Sequence, residues 1–198
     1  MAATTTPIGV RAKKKHATSV ALREAALELF LEHSYSGTTV EQIAARAGVS
    51  PRTFFRYYAT KDDVMFGQHE ADKQALRQFL SERPDESFEA TMQAVGHYLA
   101  RRDEEQPEQV RMLVKLRSAA PQIMHRYMTH HEELVGVVAD HVATRLGVSA
   151  KQDLRPAMVA GTAVRAWLAA TEVWVANGVE GQLTPLVDDA LALVRVTK

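Results

Sequence analysis

Apolar residues recur every three to four positions along most of the chain, which is the spacing of one face of an α-helix. The first such run, from Thr18 to His33, carries Leu22, Ala26, Leu29 and Phe30. The same spacing predicts further helices over 39–47, 51–58, 61–82, 87–102, from 107, 121–146, 151–177 and from 184. We find no convincing strand pattern and no internal repeat. The sequence therefore predicts an all-α fold of about nine helices.

Two segments depart from this amphipathic pattern. Residues 1–16 are rich in Thr and Ala and then basic, without periodicity, so we expect a flexible basic arm. The segment 151–177 is largely apolar around its whole circumference, which predicts a helix that is buried on most sides.

Two short helices joined by residues 47–50 carry strong start and stop signals. Thr39 and Gln42 fit a capping box, and Gly48 stands where a helix end favours a left-handed residue. Ser50 and Pro51 are a good N-cap and a good first helical residue. This spacing indicates a helix-turn-helix, although an ordinary helical hairpin fits the same pattern.

Composition sets the broad class of protein, and the distribution of charge refines it. The chain has 198 residues and no Cys, which excludes disulfides, thiolate metal sites and Cys nucleophiles. No apolar run has the length of a membrane span, and we expect a cytoplasmic protein. Lys plus Arg equals Asp plus Glu, at 24 each, yet residues 1–61 hold nine basic and four acidic side chains. This basic excess suits a phosphate backbone, while a solvated charged tail is the alternative.

The segment TTVEQIAARAGVSPRTFFRYYATKDDV, residues 38–64, resembles the DNA-binding core of TetR-type (TetR/AcrR) transcriptional regulators. The preceding AALELF, residues 25–30, is similar to the first helix of that family. The resemblance covers about residues 17 to 65. It implies a helix-turn-helix DNA-binding domain over 17–62, after the arm of residues 1–16, and a ligand-binding and dimerisation domain over 63–198.

The family resemblance also implies how such a protein works. It would bind a palindromic operator in double-stranded DNA as a homodimer, with its third helix in the major groove and its last two helices forming the dimer interface. It would act as a ligand-responsive repressor, and a small, largely apolar effector would release the DNA. The DNA-contacting positions implied by the resemblance and by the basic arm are Lys13, Lys14, Lys15, Thr39, Ser50, Arg52, Thr53, Phe55, Arg56, Tyr57 and Lys61.

Several of these positions carry alternatives or departures. Arg52 and Arg56 stand four apart on one helix face, where each can read guanine or only touch phosphate. Phe55 stands where the family commonly has Tyr, so it lacks the hydroxyl that bonds the DNA backbone.

Ser34, in the turn after the first helix, stands where the family commonly has Gly. A non-Gly residue in a left-handed cap costs roughly 1 kcal/mol, so we expect this turn to differ in shape.

Met and aromatic residues of the second domain are candidates for an effector pocket, because such side chains suit plastic apolar sites. The alternative is that they simply form the core. Arg165 and Glu172, seven apart on a mostly apolar helix, can face the pocket or pair at the dimer interface. With RAWL at 165–168 and VWV at 173–175, the tail of this domain is distantly similar to actinobacterial regulators that bind acyl chains or acyl-CoA. The candidate effector residues are Tyr98, Met112, Leu116, Met124, Tyr127, Met128, Trp167, Thr171 and Trp174.

No catalytic or cofactor site is expected. The sequence has no Ser-His-Asp arrangement, phosphate loop or dinucleotide glycine pattern, so we expect neither an enzyme nor a cofactor. Six histidines follow Lys61, and among the four in the predicted helix 121–146 only His130 has an acidic residue at helical spacing, Glu133. We therefore interpret the histidines as solvated and expect no metal site.

Overall fold

The structure is a computed structural model that describes residues 7–66, 69–83 and 86–194, with the side chains of 7–13 and Ala119 left out of the description. The described residues form ten helical segments and no strand, and nine of these segments are longer than one turn. This confirms the all-α prediction. The helices are α1 (Pro7–His33), α2 (Val40–Arg46), α3 (Pro51–Tyr57), α4 (Asp63–Phe66), α5 (His69–Ser81), α6 (Phe88–Glu104), α7 (Pro107–Ala119), α8 (Pro121–Leu146), α9 (Leu154–Ala176) and α10 (Thr184–Ala192).

The chain divides into two compact units. The first contains the described residues up to 66 together with 115–123, and the second contains those of 69–114 and 124–194. In the first unit α1 packs against α2 and α4, and α2 packs against α3. Leu22, Phe30, Ile43, Phe54 and Val64 are almost completely buried there, as the apolar periodicity predicts.

The first helix begins earlier than the sequence pattern predicts. Residues 7–16, interpreted as part of a flexible arm, belong to α1, while residues 1–6 lie outside the described part of the chain. Pro7 suits the first turn of a helix, and the following Ala, Lys and Arg residues have high helix propensity. Intrinsic propensity therefore extends α1 beyond the stretch that has an apolar face.

Within the predicted helix over 61–82, the structure describes a single helical turn, α4, and the longer helix α5. Residues 67 and 68, which lie between α4 and α5, are outside the description.

In the second unit α6, α9 and α10 pack against one another. α6 comes so close to α10 that a Cβ atom on Gly96 would stand 2.6 Å from Val187 Cγ1. The prediction that residues 151–177 are buried on most sides is only partly right. α9 buries Val164, Trp167 and Trp174, but its other face remains exposed and includes Leu154, Met158, Arg165, Ala169 and Glu172. In the described part of the chain, no helix is both long and apolar enough to cross a membrane.

Candidate functional site

The turn between α2 and α3 has the geometry that its residues predict. Thr39 Oγ1 accepts a hydrogen bond from Gln42 N at 3.3 Å, and Gln42 Oε1 accepts one from Thr39 N at 2.8 Å, which completes the capping box. Gly48 reverses the chain with a φ of 68°. Ser50 Oγ then accepts a hydrogen bond from Thr53 N at 3.1 Å, and Pro51 opens α3. These residues form a helix-turn-helix.

α3 separates buried side chains from exposed ones. Phe54 is fully buried, and the hydroxyl of the buried Tyr58 lies 2.6 Å from Ser19 Oγ of α1. Arg52, Phe55 and Arg56 are exposed, and 55% of the Phe55 surface is accessible although the residue is apolar. α3 thus presents two cations and an aromatic ring to solvent on a buried aromatic support.

The other predicted DNA-contacting residues lie around this surface or along α1. Thr39 and Ser50 are exposed N-caps, Lys14 and Lys15 are exposed on α1, and Thr53 and Tyr57 are partly exposed. The Arg56 guanidinium lies over the Tyr57 ring, 5.4 Å from its centroid. The side chain of Lys13 lies outside the described side chains.

The side chain of Lys61 packs against the turn between α1 and α2. Its ammonium group donates hydrogen bonds to Tyr35 O at 2.6 Å and to Thr38 O at 3.0 Å, and it lies 4.1 Å from the centre of the Tyr35 ring. Burial lowers the pKa of Lys61 below its usual value. Lys61 is therefore held by the turn between α1 and α2 rather than extended into solvent.

Ser34 adopts the left-handed conformation at the turn after α1, with a φ of 66°. Its hydroxyl accepts a hydrogen bond from Gly37 N at 3.2 Å, and its carbonyl accepts one from Thr38 Oγ1 at 2.9 Å. These bonds hold a conformation that costs a non-Gly residue about 1–2 kcal/mol.

Three of the nine predicted effector residues meet in the second unit. Trp167 Nε1 and Thr171 Oγ1 of α9 donate hydrogen bonds to Asp103 Oδ2 of α6, at 3.0 and 3.2 Å. The centre of the Trp167 ring lies 5.2 Å from the centre of the buried His131 ring. The centre of the His131 ring in turn lies 4.0 Å from that of Tyr127. Polar atoms are thus gathered between α6, α8 and α9, inside a largely apolar unit.

The remaining effector candidates have other neighbours. Tyr98 packs on Phe79 with ring centres 4.4 Å apart, and Trp174 Nε1 donates a hydrogen bond to Gly181 O. Met112 and Met124 are partly accessible, Met128 is 44% exposed, and the buried Leu116 belongs to the first compact unit.

A cavity of about 470 Å³ lies between α6, α9 and α10. None of the nine predicted effector residues is among its described lining residues, and three of the lining side chains are carboxylates. The described lining residues are Glu89, Met92, Gln93, Thr162, Asp188, Asp189, Leu191, Ala192 and Val194.

Sequence reasoning missed the acidic end of α6. Burial raises the pKa of Asp103 from 3.8 to about 7, although the hydrogen bonds from Trp167 and Thr171 act in the opposite direction. Glu104 Oε1 accepts hydrogen bonds from the backbone N–H groups of Leu183 and Thr184, and so caps α10. The signal in the sequence is spacing, because Asp103 follows the buried Leu99 by one helical turn.

We expected all of the histidines after Lys61 to be solvated, but some of them are not. His131 is buried, and His130 lies near His69 and Glu133 in a group whose possible ligand atoms are all within 4.8 Å of one another. His69 comes from a different helix, so spacing along α8 alone does not predict this group.

Comparison with known proteins relates both parts of the chain to one family. Residues 22–66 match the family described as bacterial regulatory proteins, tetR family, and residues 85–197 match the MftR C-terminal domain. The HTH-type transcriptional regulator TcmR of Streptomyces glaucescens is 34% identical over 158 residues, which cover 76% of this chain and 70% of TcmR.

Solved structures share the fold at low sequence identity. The fatty acid degradation regulator FadR of Bacillus halodurans is 16% identical, with a TM-score of 0.61 over 90% of this chain and 98% of the FadR chain. FadR of Thermus thermophilus, described as a transcriptional repressor in complex with lauroyl-CoA, is 21% identical, with a TM-score of 0.56 over 91% of this chain and 96% of that one. Together with the helix-turn-helix, the family match and the TcmR identity show that this chain belongs to the tetR family of bacterial transcriptional regulators.

Proposed function

We propose that this protein is a ligand-responsive repressor that binds a palindromic operator as a homodimer. The observation that carries this proposal is the exposed trio Arg52, Phe55 and Arg56 on α3, supported by the buried Phe54 and Tyr58. An exposed helix of this kind suits the major groove, where the donor and acceptor pattern of each base pair is distinct.

The chemistry of the trio indicates which contacts each side chain makes. Arg52 lies in the first turn of α3, and a guanidinium there can donate two hydrogen bonds to guanine O6 and N7. Phe55 has no hydroxyl, so it packs on a thymine methyl group rather than binding phosphate. Arg56 lies over Tyr57 and binds a base or a phosphate, while Lys14 and Lys15 add attraction that is independent of sequence.

The exposed face of α9 supports a homodimer through the last two helices. This face carries Leu154 and Met158, which are 73% and 59% exposed, together with Arg165 and Glu172. In a two-fold interface the same surface meets itself, so Arg165 of one subunit can approach Glu172 of the partner subunit. We propose this arrangement over the alternative that both residues face an effector pocket.

The proposed effector is small and largely apolar, and it binds the second domain, which we place at 63–198 after a DNA-binding domain at 17–62. Tyr127, Trp167 and Thr171 lie together there beside Asp103, so aromatic walls and polar atoms converge. The lauroyl-CoA bound by the fold relative from Thermus thermophilus makes long-chain acyl-CoA the first effector class to test.

A gel-shift titration with DNA from around the protein's own gene tests this function. We expect one specific site, a weakening of about tenfold or more for Arg52→Ala on that site, and little change on random DNA. Lys15→Ala is the matched control, and it should weaken binding to both DNAs alike. Long-chain acyl-CoA should release the specific complex. If Arg52→Ala reduces binding to both DNAs equally, α3 does not read the sequence as proposed.

A further inference from the structure

The first turn of α5 and the middle of α8 bring two imidazoles and a carboxylate together. His69 is the first residue of α5, while His130 and Glu133 lie three positions apart on one face of α8. One possible ligand atom from each residue lies within 4.8 Å of the other two. This grouping unites two segments that are about sixty residues apart in the chain.

The His130 imidazole is well suited to bind a metal ion. Its Nδ1 atom is buried and has no hydrogen-bond partner in the described part of the chain, which is costly for a polar atom. The His69 ring stacks on the His130 ring, with ring centres 3.8 Å apart and planes inclined by 22°.

In the structure, Lys73 forms an ion pair with Glu133, the third member of the group. Its ammonium lies 3.2 Å from Glu133 Oε2 and 2.9 Å from Glu70 Oε2. Glu70 therefore provides Lys73 with an alternative partner when Glu133 turns toward a metal ion. The positive charge of Lys73 also repels a cation, so it lowers the affinity of the group for a metal ion.

We propose that His69, His130 and Glu133 form a binding site for a divalent transition-metal ion, with Zn²⁺ as the best match. Zn²⁺ prefers imidazole and carboxylate ligands in tetrahedral sites, and three protein ligands leave the fourth position for water. Bonds of about 2 Å require ligand atoms roughly 3.3 Å apart, so modest side-chain rotations complete the site. The bound ion would join the first turn of α5 to α8.

This proposal goes beyond the proposed function, since it requires neither DNA nor the apolar effector. Its test therefore uses metal binding alone. We expect the untagged full-length protein to bind one Co²⁺ per chain with the visible absorption of a tetrahedral complex, and Zn²⁺ should displace it. Saturating Zn²⁺ should also raise the melting temperature by roughly 5 °C, because a ligand that binds only the folded state stabilises it.

Variants separate this site from adventitious binding. His130→Ala and, independently, His69→Ala should weaken Zn²⁺ binding by about 100-fold in calorimetric titrations. His125→Ala, which removes an exposed imidazole from the same helix, is the matched control and should not change the affinity. Lys73→Met should strengthen binding, because it removes the competing cation.

Circular dichroism of each variant ensures that only folded proteins are compared. The proposal is overturned if the wild-type protein gives no tetrahedral Co²⁺ spectrum. It is equally overturned if folded His69→Ala and His130→Ala proteins bind Zn²⁺ as tightly as the His125→Ala control.

Discussion

At the level of single residues, the pKa of Asp103 differs strongly from the value expected for an ordinary Asp side chain. Its carboxyl group accepts hydrogen bonds from Trp167 and Thr171, yet burial raises its pKa from 3.8 to about 7. Desolvation therefore outweighs two hydrogen bonds that favour the charged form. A pKa rise of this size corresponds to a free-energy difference of about 4 kcal/mol between the protonated and ionised forms. Because Asp103 keeps some accessible surface, we expect its effect on the free energy of unfolding to be about half as large.

This raised pKa predicts a stability that falls as pH rises. Below about pH 4 the carboxyl group is protonated in both the folded and unfolded states. Between about pH 4 and pH 7 only the unfolded state releases the proton, so the free energy of unfolding decreases across this window and then becomes constant. Asp103→Asn keeps an acceptor for Trp167 and Thr171 but cannot ionise. We expect this variant to be about 2 kcal/mol more stable than the wild-type protein at pH 8.

Chemical unfolding between about pH 4 and pH 8 measures this effect. Asp140→Asn, which neutralises an exposed carboxylate on α8, is the matched control and should retain the wild-type pH dependence. Identical pH profiles for Asp103→Asn and the wild-type protein would show that the buried carboxyl group is already ionised in the folded state.

At the scale of secondary-structure elements, local signals set the helix-turn-helix. The caps at Thr39 and Ser50 and the left-handed Gly48 depend on neighbouring residues, so the sequence predicts them well. The start of α1 is predicted less well. Residues 7–16 favour a helix through their intrinsic propensity but have no apolar face, so the apolar periodicity does not reveal them.

A comparison of Gly48 and Gly136 shows how much the left-handed turn conformation contributes to the requirement for glycine. A Cβ atom at Gly48 or at Gly136 would meet no atom within 4 Å, but Gly48 has a φ of 68° whereas Gly136 lies inside α8. We expect Gly48→Ala to destabilise α2 and α3 by about 1 kcal/mol, because L-residues are strained at this φ. Gly136→Ala should stabilise α8 by roughly 0.5–1 kcal/mol.

Native-state hydrogen exchange measures both effects, since it reports the stability of each helix separately. Gly48→Asn should recover part of the loss, because Asn tolerates the left-handed region better than Ala. A Gly48→Ala protein in which α2 and α3 exchange as slowly as in the wild-type protein would contradict this account of the turn.

At the scale of the whole molecule, neutral net charge conceals an uneven distribution. Residues 1–61 carry an excess of five positive charges, and the rest of the chain carries the balancing negative excess. The basic part contains the helix-turn-helix, while the second unit contributes the exposed face of α9. The DNA binding and the self-association that we propose therefore involve different parts of the chain.

A charge exchange on α9 tests the proposed homodimer. Arg165→Glu should place like charges near each other in a two-fold interface and raise the dissociation constant of the dimer by about tenfold or more. The double variant Arg165→Glu with Glu172→Arg restores opposite charges, so we expect its dissociation constant to return to within about threefold of wild type. Sedimentation equilibrium measures both values.

Arg101→Glu, an exposed substitution on α6, is the matched control and should leave the dimer intact. If Arg165→Glu has no more effect than this control, the exposed face of α9 is not the dimer interface. If it weakens the dimer but the double variant does not recover, Arg165 and Glu172 do not pair across the interface.

The all-helical fold, the helix-turn-helix and the family can all be predicted from the amino-acid sequence. These features rest on periodicity, on capping residues and on a contiguous segment, all of which lie close together along the chain. The surroundings of Lys61, Asp103 and His130 become apparent only in the folded chain. Each of these side chains depends on partners from distant segments of the chain, because desolvation and hydrogen bonding are properties of what packs against a residue rather than of its neighbours in sequence.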